Sequence, residues 1–165
     1  MGVVVSIHRV QVKHGPAEKL AEARYITDFG LENDWRSRKG RGRQITLIEE
    51  EALEFVARTL KMDAIPEGAS RRQIVVRGIR LNDTVGKKLR VGPLLIQVDE
   101  LCDPCKNMEK TIGKGAWWAM ESRGGIVGKV LEGGVLKAGD CVQIEDEPAQ
   151  HRSAQVKQPV KSRKG

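Results

Sequence analysis

The chain has 165 residues, 39% of them hydrophobic, which fits one domain of ordinary size whose core needs no disulfide staples. Eighteen glycines against six aromatic residues favour a turn-rich β architecture over a helical bundle, and three cysteines, an odd number, argue against a secreted disulfide framework. The formal charge of +7 would point to a polyanion partner if it were spread over the fold, but residues 151–165 hold five cations and no acid, leaving only +2 for residues 1–150.

Residues 3–12 read as a strand that stops at the turn signal His14-Gly15-Pro16. The chain enters that strand at once, with no basic segment, long apolar stretch and small-residue cleavage site before it, which predicts a cytoplasmic protein. Gly2 followed by Ser6 matches a myristoylation pattern superficially, but a residue committed to an opening strand makes a poor lipid anchor. Nowhere does the chain approach the roughly 18 consecutive apolar residues of a membrane span. Residues 19–25 read as a short helical or irregular excursion. Residues 35–43 then carry five basic residues among nine, a density that belongs on a loop.

Residues 44–48 form a strand, after which the period changes: Leu53, Val56, Ala57 and Leu60 recur at helical spacing. Glu49, Glu50 and Glu51 at the start of this helix, with Arg58 and Lys61 near its end, match the macrodipole, and Pro66 and Gly68 close the unit. Such a helix would cover one side of a barrel. Further strands are predicted at 73–76, 89–92 and 94–101, the last with Leu94, Ile96 and Val98 alternating against Leu95, Gln97 and Asp99. Residues 107–112 and 116–121 make two short helices broken by Gly113 and Gly115. Residues 126–131 and 141–145, separated by glycine turns, read as a meander. Short strands interrupted by one strong helix and two weak ones predict a mainly β fold, a single-domain β-barrel with helical insertions over residues 1–146. Residues 147–165 are predicted to be a disordered basic tail, because they hold too little apolar surface to offset their ordering entropy. A solubilising role suits that composition better than nucleic-acid binding.

The tetrad Cys102-Asp103-Pro104-Cys105 directly follows the strand at 94–101, so at least one thiol sits where a strand ends. A thiolate is both a nucleophile and a soft metal ligand, and nearby cations or helix N-termini raise its reactivity by lowering its pKa. Four readings stay open. A structural zinc site needs about four ligands, and outside the pair only Cys141, His8, His14 and His151 remain, unpaired in sequence. A thioredoxin-like redox pair opens a helix after the first strand of an α/β unit, whereas this pair follows a late strand of a β-rich chain. Two incidental buried thiols are the plainest reading. The fourth is a single reactive thiolate at Cys105. Pro104 fixes the backbone before it, a helix starting at Cys105 or Lys106 would bring N–H groups near the sulfur, and Lys106 adds a cation. Cys102 is then the structural or accessory member.

The basic loop from Arg36 to Arg43 and the pair Arg71-Arg72 are either solvated or an anion site, since guanidinium groups bind phosphate or carboxylate bidentately. Gly113-Lys114-Gly115 lacks the preceding glycine spacing and the Ser/Thr of a Walker motif. One of Trp117 and Trp118 is expected in the core or as a lid over the barrel.

The order of these segments resembles the MOSC domain, the module found at the C-terminus of molybdenum cofactor sulfurases and as small stand-alone bacterial proteins. The residues that carry the resemblance are Arg43-Gln44-Ile45-Thr46-Leu47-Ile48-Glu49, Arg71-Arg72-Gln73-Ile74 with Gly78-Ile79-Arg80-Leu81-Asn82, and the cysteine tetrad. Arg123-Gly124-Gly125-Ile126 and Val130-Leu131-Glu132-Gly133-Gly134 through Gly139-Asp140 complete the series. The resemblance implies a barrel similar to the small one inserted in pyruvate kinase. It also implies that Cys105 corresponds to the position that carries sulfur or ligates molybdenum in active members. Arg43, Arg72 and Arg123, with Lys106 beside the thiol, are then candidates to hold the phosphate of a molybdenum cofactor (molybdopterin). The implied activity is sulfur transfer or oxotransfer, with a sulfur donor and a redox or acceptor protein as partners. The alternative is a non-catalytic module that carries cofactor or sulfur to a separate enzyme. Pyridoxal phosphate is associated with the family through the sulfurase's desulfurase domain, and no anchoring lysine motif for it is identifiable here. Two positions depart from the family pattern: Asn33-Asp34-Trp35 stands where Gly-Asp and then His are frequent, and Gln73 where an Asn often follows the basic pair.

Overall fold

In the computed structural model, which describes residues 1–145, strands β1 (Gly2–Val10), β2 (Ala17–Leu20), β3 (Glu22–Ile26) and β4 (Gly30–Leu31) precede β5 (Ile45–Glu49). Helix α1 (Glu50–Thr59) and β6 (Ile74–Arg77) follow, then β7 (Lys88–Val91) and β8 (Leu94–Leu101). Two short helices, α2 (Asn107–Thr111) and α3 (Ala116–Ala119), lead into β9 (Ile126–Glu132), β10 (Gly134–Lys137) and β11 (Cys141–Ile144). The tail predicted at 147–165 lies outside the described residues.

The strand order β11-β7-β8-β9-β5-β6-β1 closes into a seven-stranded barrel through pairing of β1 with β11. Closure leaves no bare edge between these strands. Neighbours are antiparallel except β5 and β6, whose parallel pairing needs a long crossover, and α1 lies within that crossover. A small second sheet, β10-β3-β4, lies beside the barrel.

Strands covered on both faces read as continuous apolar runs, and β5 and β6 are of this kind. Ile45, Leu47, Ile74 and Val76 join the barrel core with Val4, Ile7, Leu89, Ile96 and Val98. Their alternates Ile48 and Val75 face outward, where Ala52 and Val56 of α1, Met108 of α2 and Ala116 and Ala119 of α3 form a second buried cluster. The helices therefore cover one side of the barrel, a place that the apolar spacing predicts for α1 alone. The glutamates at the start of α1 are tertiary ties as well: Glu49 accepts from the Leu81 N–H and Glu51 from the Gly78 N–H, each at 2.8 Å. Glu50 and Glu54 meet the two ends of the Arg77 guanidinium at 2.6 and 2.8 Å.

Residues 19–25 correct the expectation of helix or irregular chain. They form the end of β2 and most of β3, and Ala23 and Tyr25 point inward while Glu22 and Arg24 face solvent. Two inward residues are too short an alternation to stand out in sequence, and pairing of β3 with β10 settles it. The Tyr25 hydroxyl donates to Gln73 Oε1 at 3.0 Å, which gives the departure at position 73 a packing role.

Candidate functional site

Strand β8 ends where Leu101 pairs with Ile126, and the next N–H, that of Cys102, donates to the Gly125 carbonyl at 2.7 Å. Gly124 faces the same segment so closely that a Cβ there would collide with the Cys102 carbonyl oxygen and sit 3.2 Å from Arg72 Nη2. The Gly124-Gly125 pair is therefore the close approach that fixes the cysteine tetrad against β9. Cys102 is 2% exposed, and its sulfur accepts from Arg43 Nη2 at 3.6 Å. Cys105 is exposed, both thiols are free, and Cys105 opens onto a cleft of about 740 Å³.

That cleft is cationic. Its wall takes Arg36, Arg38, Arg41 and Arg43 from the basic loop, Arg71 and Arg72 from the segment before β6, Lys13 from the turn after β1 and Lys110 from α2. His14 and Trp35 complete one side, and Asp103 is the single carboxylate among these lining residues. His14, Arg43 and Arg71 have φ of 64°, 66° and 64°, the left-handed region, which costs a non-glycine residue roughly 1–2 kcal/mol. Asn33, in the position where the family often has Gly, also has φ 64°, and Asn is among the residues that tolerate this region best.

Two of the cations are braced. Arg72 is buried, and its guanidinium donates to the carbonyls of Gly124 (2.7 Å), Ser70 (3.3 Å), Cys102 (3.4 Å) and Asp103 (3.2 Å). Burial lowers its pKa, the neighbouring Cys102 and Cys105 oppose that only in part, and a guanidinium stays a cation. It lines the cleft chiefly as a clamp on the tetrad. The Arg36 backbone N–H donates to Asp34 Oδ1 at 3.0 Å, and its side chain pairs with the same oxygen at 3.4 Å and donates to the Arg71 carbonyl at 3.1 Å. The other oxygen of Asp34, whose side chain is fully buried, accepts from the Val10 N–H at 3.0 Å. Arg71 is partly buried, and burial and the adjacent Arg36 both lower its pKa.

Of the residues singled out from sequence, Arg43, Arg72 and Cys105 meet at this cleft, while Arg123 and Lys106 do not line it. Arg123 stacks its guanidinium 3.7 Å above the Phe55 ring and lines a separate groove with Glu49, Arg80 and Asn82. Gly124, the next residue, lies instead against Cys102 and Arg72, so neighbours in the motif serve different places. Lys106 directs its ammonium over the Trp117 ring, 5.8 Å from the centroid. Helix α2 starts at Asn107, past both expected positions, and the Cys105 carbonyl accepts from the Met108 N–H in the preceding turn.

Neither tryptophan of the pair is in the core. Trp117 and Trp118 are 42% and 79% exposed, and Ala116, Ala119 and Met120 are the buried residues of that segment. Lys13, His14, Trp35 and Lys110 are cleft residues that sequence reasoning missed. His14 stands out only as part of a turn signal and as an unpaired histidine, Trp35 only as a departure from the pattern of the resemblance, and Lys13 and Lys110 not at all. Among the described residues no group of three or more His, Cys, Asp and Glu side chains is arranged to hold a metal ion.

The family model described as the MOSC domain matches residues 34–143. Among solved structures, YuaD from Bacillus subtilis is similar with a TM-score of 0.75 at 14% identity, over 90% of this chain and 98% of that one. YiiM from Geobacillus stearothermophilus is similar with a TM-score of 0.68 at 16% identity, over 90% of this chain and 77% of that one. YiiM from Escherichia coli is similar with a TM-score of 0.64 at 19% identity, over 88% and 71% of the two chains. No curated protein matches in sequence. At these identities the structural likeness establishes the fold.

Proposed function

The chain belongs to the MOSC domain family, and on that footing we propose that it binds the molybdenum cofactor, or a related sulfur-containing anion, in the cationic cleft through Cys105. The observation that carries this reading is the opening of one exposed thiol onto a wall of eight Lys and Arg side chains with a single carboxylate among them. The donor set fits the group: a soft thiolate suits molybdenum, and guanidinium groups suit a phosphate.

Cys105 is the sulfur carrier or metal ligand. Arg43 and Arg71 are the candidates to grip the phosphate, and Arg72 holds the backbone of Cys102 and Asp103 so that the tetrad presents Cys105 to the cleft. Lys106, a candidate by its place beside the thiol, and Arg123, a candidate by resemblance, contribute charge from outside this wall. Bound molybdenum would supply oxygen- or sulfur-atom transfer. In a pure sulfur-carrier role, the Cys105 thiolate attacks the outer sulfur of a donor persulfide, takes that sulfur and releases the donor thiolate. Attack by an acceptor nucleophile on the outer sulfur then regenerates Cys105. The partners are a sulfur donor and a redox or acceptor protein. Among the described residues no helix is long and apolar enough to cross a membrane, and we read the protein as cytoplasmic.

The test is expression alongside active molybdenum cofactor biosynthesis, with molybdenum, pterin and Cys105 persulfide measured on the purified protein beside Cys105→Ser. Stoichiometric molybdenum and pterin that depend on Cys105 are expected. Cofactor held without turnover and passed to an acceptor enzyme would make the protein a carrier, and persulfide without molybdenum would make it a sulfurtransferase. Full cofactor retention and activity in Cys105→Ser would overturn the reading.

A further inference from the structure

We propose that the cleft accepts a ligand bearing two linked phosphates and a planar base, a nucleoside diphosphate group, with Trp35 as the surface on which the base stacks. The inference concerns the same cleft as the proposed function but does not depend on Cys105.

Charge comes first. Of the eight Lys and Arg side chains on the wall, Arg36 is paired with Asp34 at 3.4 Å and Asp103 offsets one more, which leaves six positive charges without a protein counterion on that wall. A phosphate monoester brings about −1.5 to −2, too little to compensate six. A second linked phosphate brings the remaining guanidinium groups into play, and Arg38, Arg41, Arg43 and Arg71 rise from two separate segments that could each hold one. The cleft volume of about 740 Å³ is in the upper part of the roughly 300–1,000 Å³ range of ligand sites.

The second observation is Trp35. It is half-buried on the cleft wall, with Lys13 Nζ 5.7 Å and Arg36 Cζ 5.8 Å from its ring centroid. Arg36 is anchored by Asp34 and so holds one side of the ring's surroundings in place. Lys13 is exposed and free to swing, so a planar base can replace its ammonium on the ring while that ammonium meets the base's own phosphates. Aromatic stacking accepts any base because every base has a π-face. The geometry therefore selects the class of ligand and leaves the base open.

The test uses the full-length protein and measures affinity by calorimetry, with the Trp35 share of any quenching read as the difference between wild type and Trp35→Phe. The probes are orthophosphate, pyrophosphate, AMP, ADP and an oligothymidylate. Pyrophosphate is expected to bind at least tenfold tighter than orthophosphate, and ADP about tenfold tighter than either pyrophosphate or AMP, a step of ~1.4 kcal/mol. Trp35→Ala should lose the gain from the base and keep pyrophosphate affinity, which also reports that the variant has folded. Trp35→Phe should keep most of the gain, and Cys105→Ser should bind ADP like wild type while losing the cofactor. Equal affinity for ADP and AMP, equal affinity for ADP and pyrophosphate, or tighter binding of the oligothymidylate than of ADP overturns the inference. Loss of ADP binding in Cys105→Ser overturns its independence from the thiol.

Discussion

Gly124, Arg72 and Asp34 decide the geometry of the cleft without being its chemistry. A methyl group at position 124 would strike the Cys102 carbonyl, so Gly124→Ala must push β9 and the tetrad apart. Overpacking of this kind costs about 1–3 kcal/mol, readable by urea denaturation. Arg72→Lys keeps the charge but loses the planar fork that reaches four carbonyls, and a lysine cannot span Gly124, Ser70 and the tetrad at once. In wild type, Cys105 and Cys141 should react quickly with a thiol reagent and Cys102 slowly, following their exposure. In Arg72→Lys the third thiol should become fast, with a stability loss of about 2–3 kcal/mol. A slow Cys102 in that variant would show that the clamp is dispensable. Asp34 pins both Arg36 and the Val10 N–H, so Asp34→Asn should loosen the basic loop and lower the midpoint of urea unfolding with no residue of the cleft wall changed.

At the scale of elements, the helical pair α2 and α3 shows how a weak helix is held. Neither has a side-chain N-cap bond, and Gly113 and Gly115, with φ of 150° and 92°, break the run between them. The Glu109 carboxylate spans the break, accepting from the Trp117 N–H at 2.8 Å and the Gly115 N–H at 2.9 Å. Those two bonds hold its pKa below the ordinary 4.5. A carboxyl whose folded pKa is depressed contributes stability above its unfolded value and loses it as pH falls through the folded one. The start of α3 should therefore loosen below pH 4.5 and above the point of general acid unfolding. In a Trp35→Phe background, emission from Trp117 and Trp118 should show that acid step, and Glu109→Gln should remove it. The same two tryptophans show the limit of composition as a guide: their segment buries alanines against α1 and leaves the large rings outside.

For the whole molecule, net charge and charge distribution part company. Residues 1–150 carry only +2, yet eight Lys and Arg side chains from four separate segments converge on one cleft. The acids that balance them lie elsewhere, on α1 and along the outer strand surfaces, where Arg77 and Arg90 pair with glutamates. Crowded like charges destabilise the empty cleft, so a multivalent anion should raise the melting temperature. At a hundredfold excess over Kd the gain is about 2.7 kcal/mol, or roughly 5–10 °C for a chain of this size. Added sodium chloride should erode the shift through screening, and Arg71→Glu should abolish most of it. A shift that persists unchanged at high salt would argue against a charge-driven site.

Periodicity is local, and whatever it specifies can be read along the chain. The alternation of Leu94, Ile96 and Val98, the helical spacing of Val56 and Ala57, and the glycine breaks at 113 and 115 all stand in the structure where the sequence puts them. The barrel class and the meeting of a strand end with the cysteine tetrad were legible for the same reason. Convergence depends on how distant strands close on one another, which no window of residues contains. Arg72 reaches across 52 positions to Gly124 and 30 to Cys102, whereas Arg123, next to Gly124 in sequence, turns to Phe55 instead. Lys13, Trp35 and Lys110 join the cleft only because closure of β1 on β6, and of β9 on β5 and β8, brings their loops to one end of the barrel. The sequence alone determined the barrel's strands, its covering helix and the thiol at the end of β8. Tertiary closure decided which cations face that thiol, because a side chain's direction is set by strand register and turn geometry rather than by its neighbours in the chain.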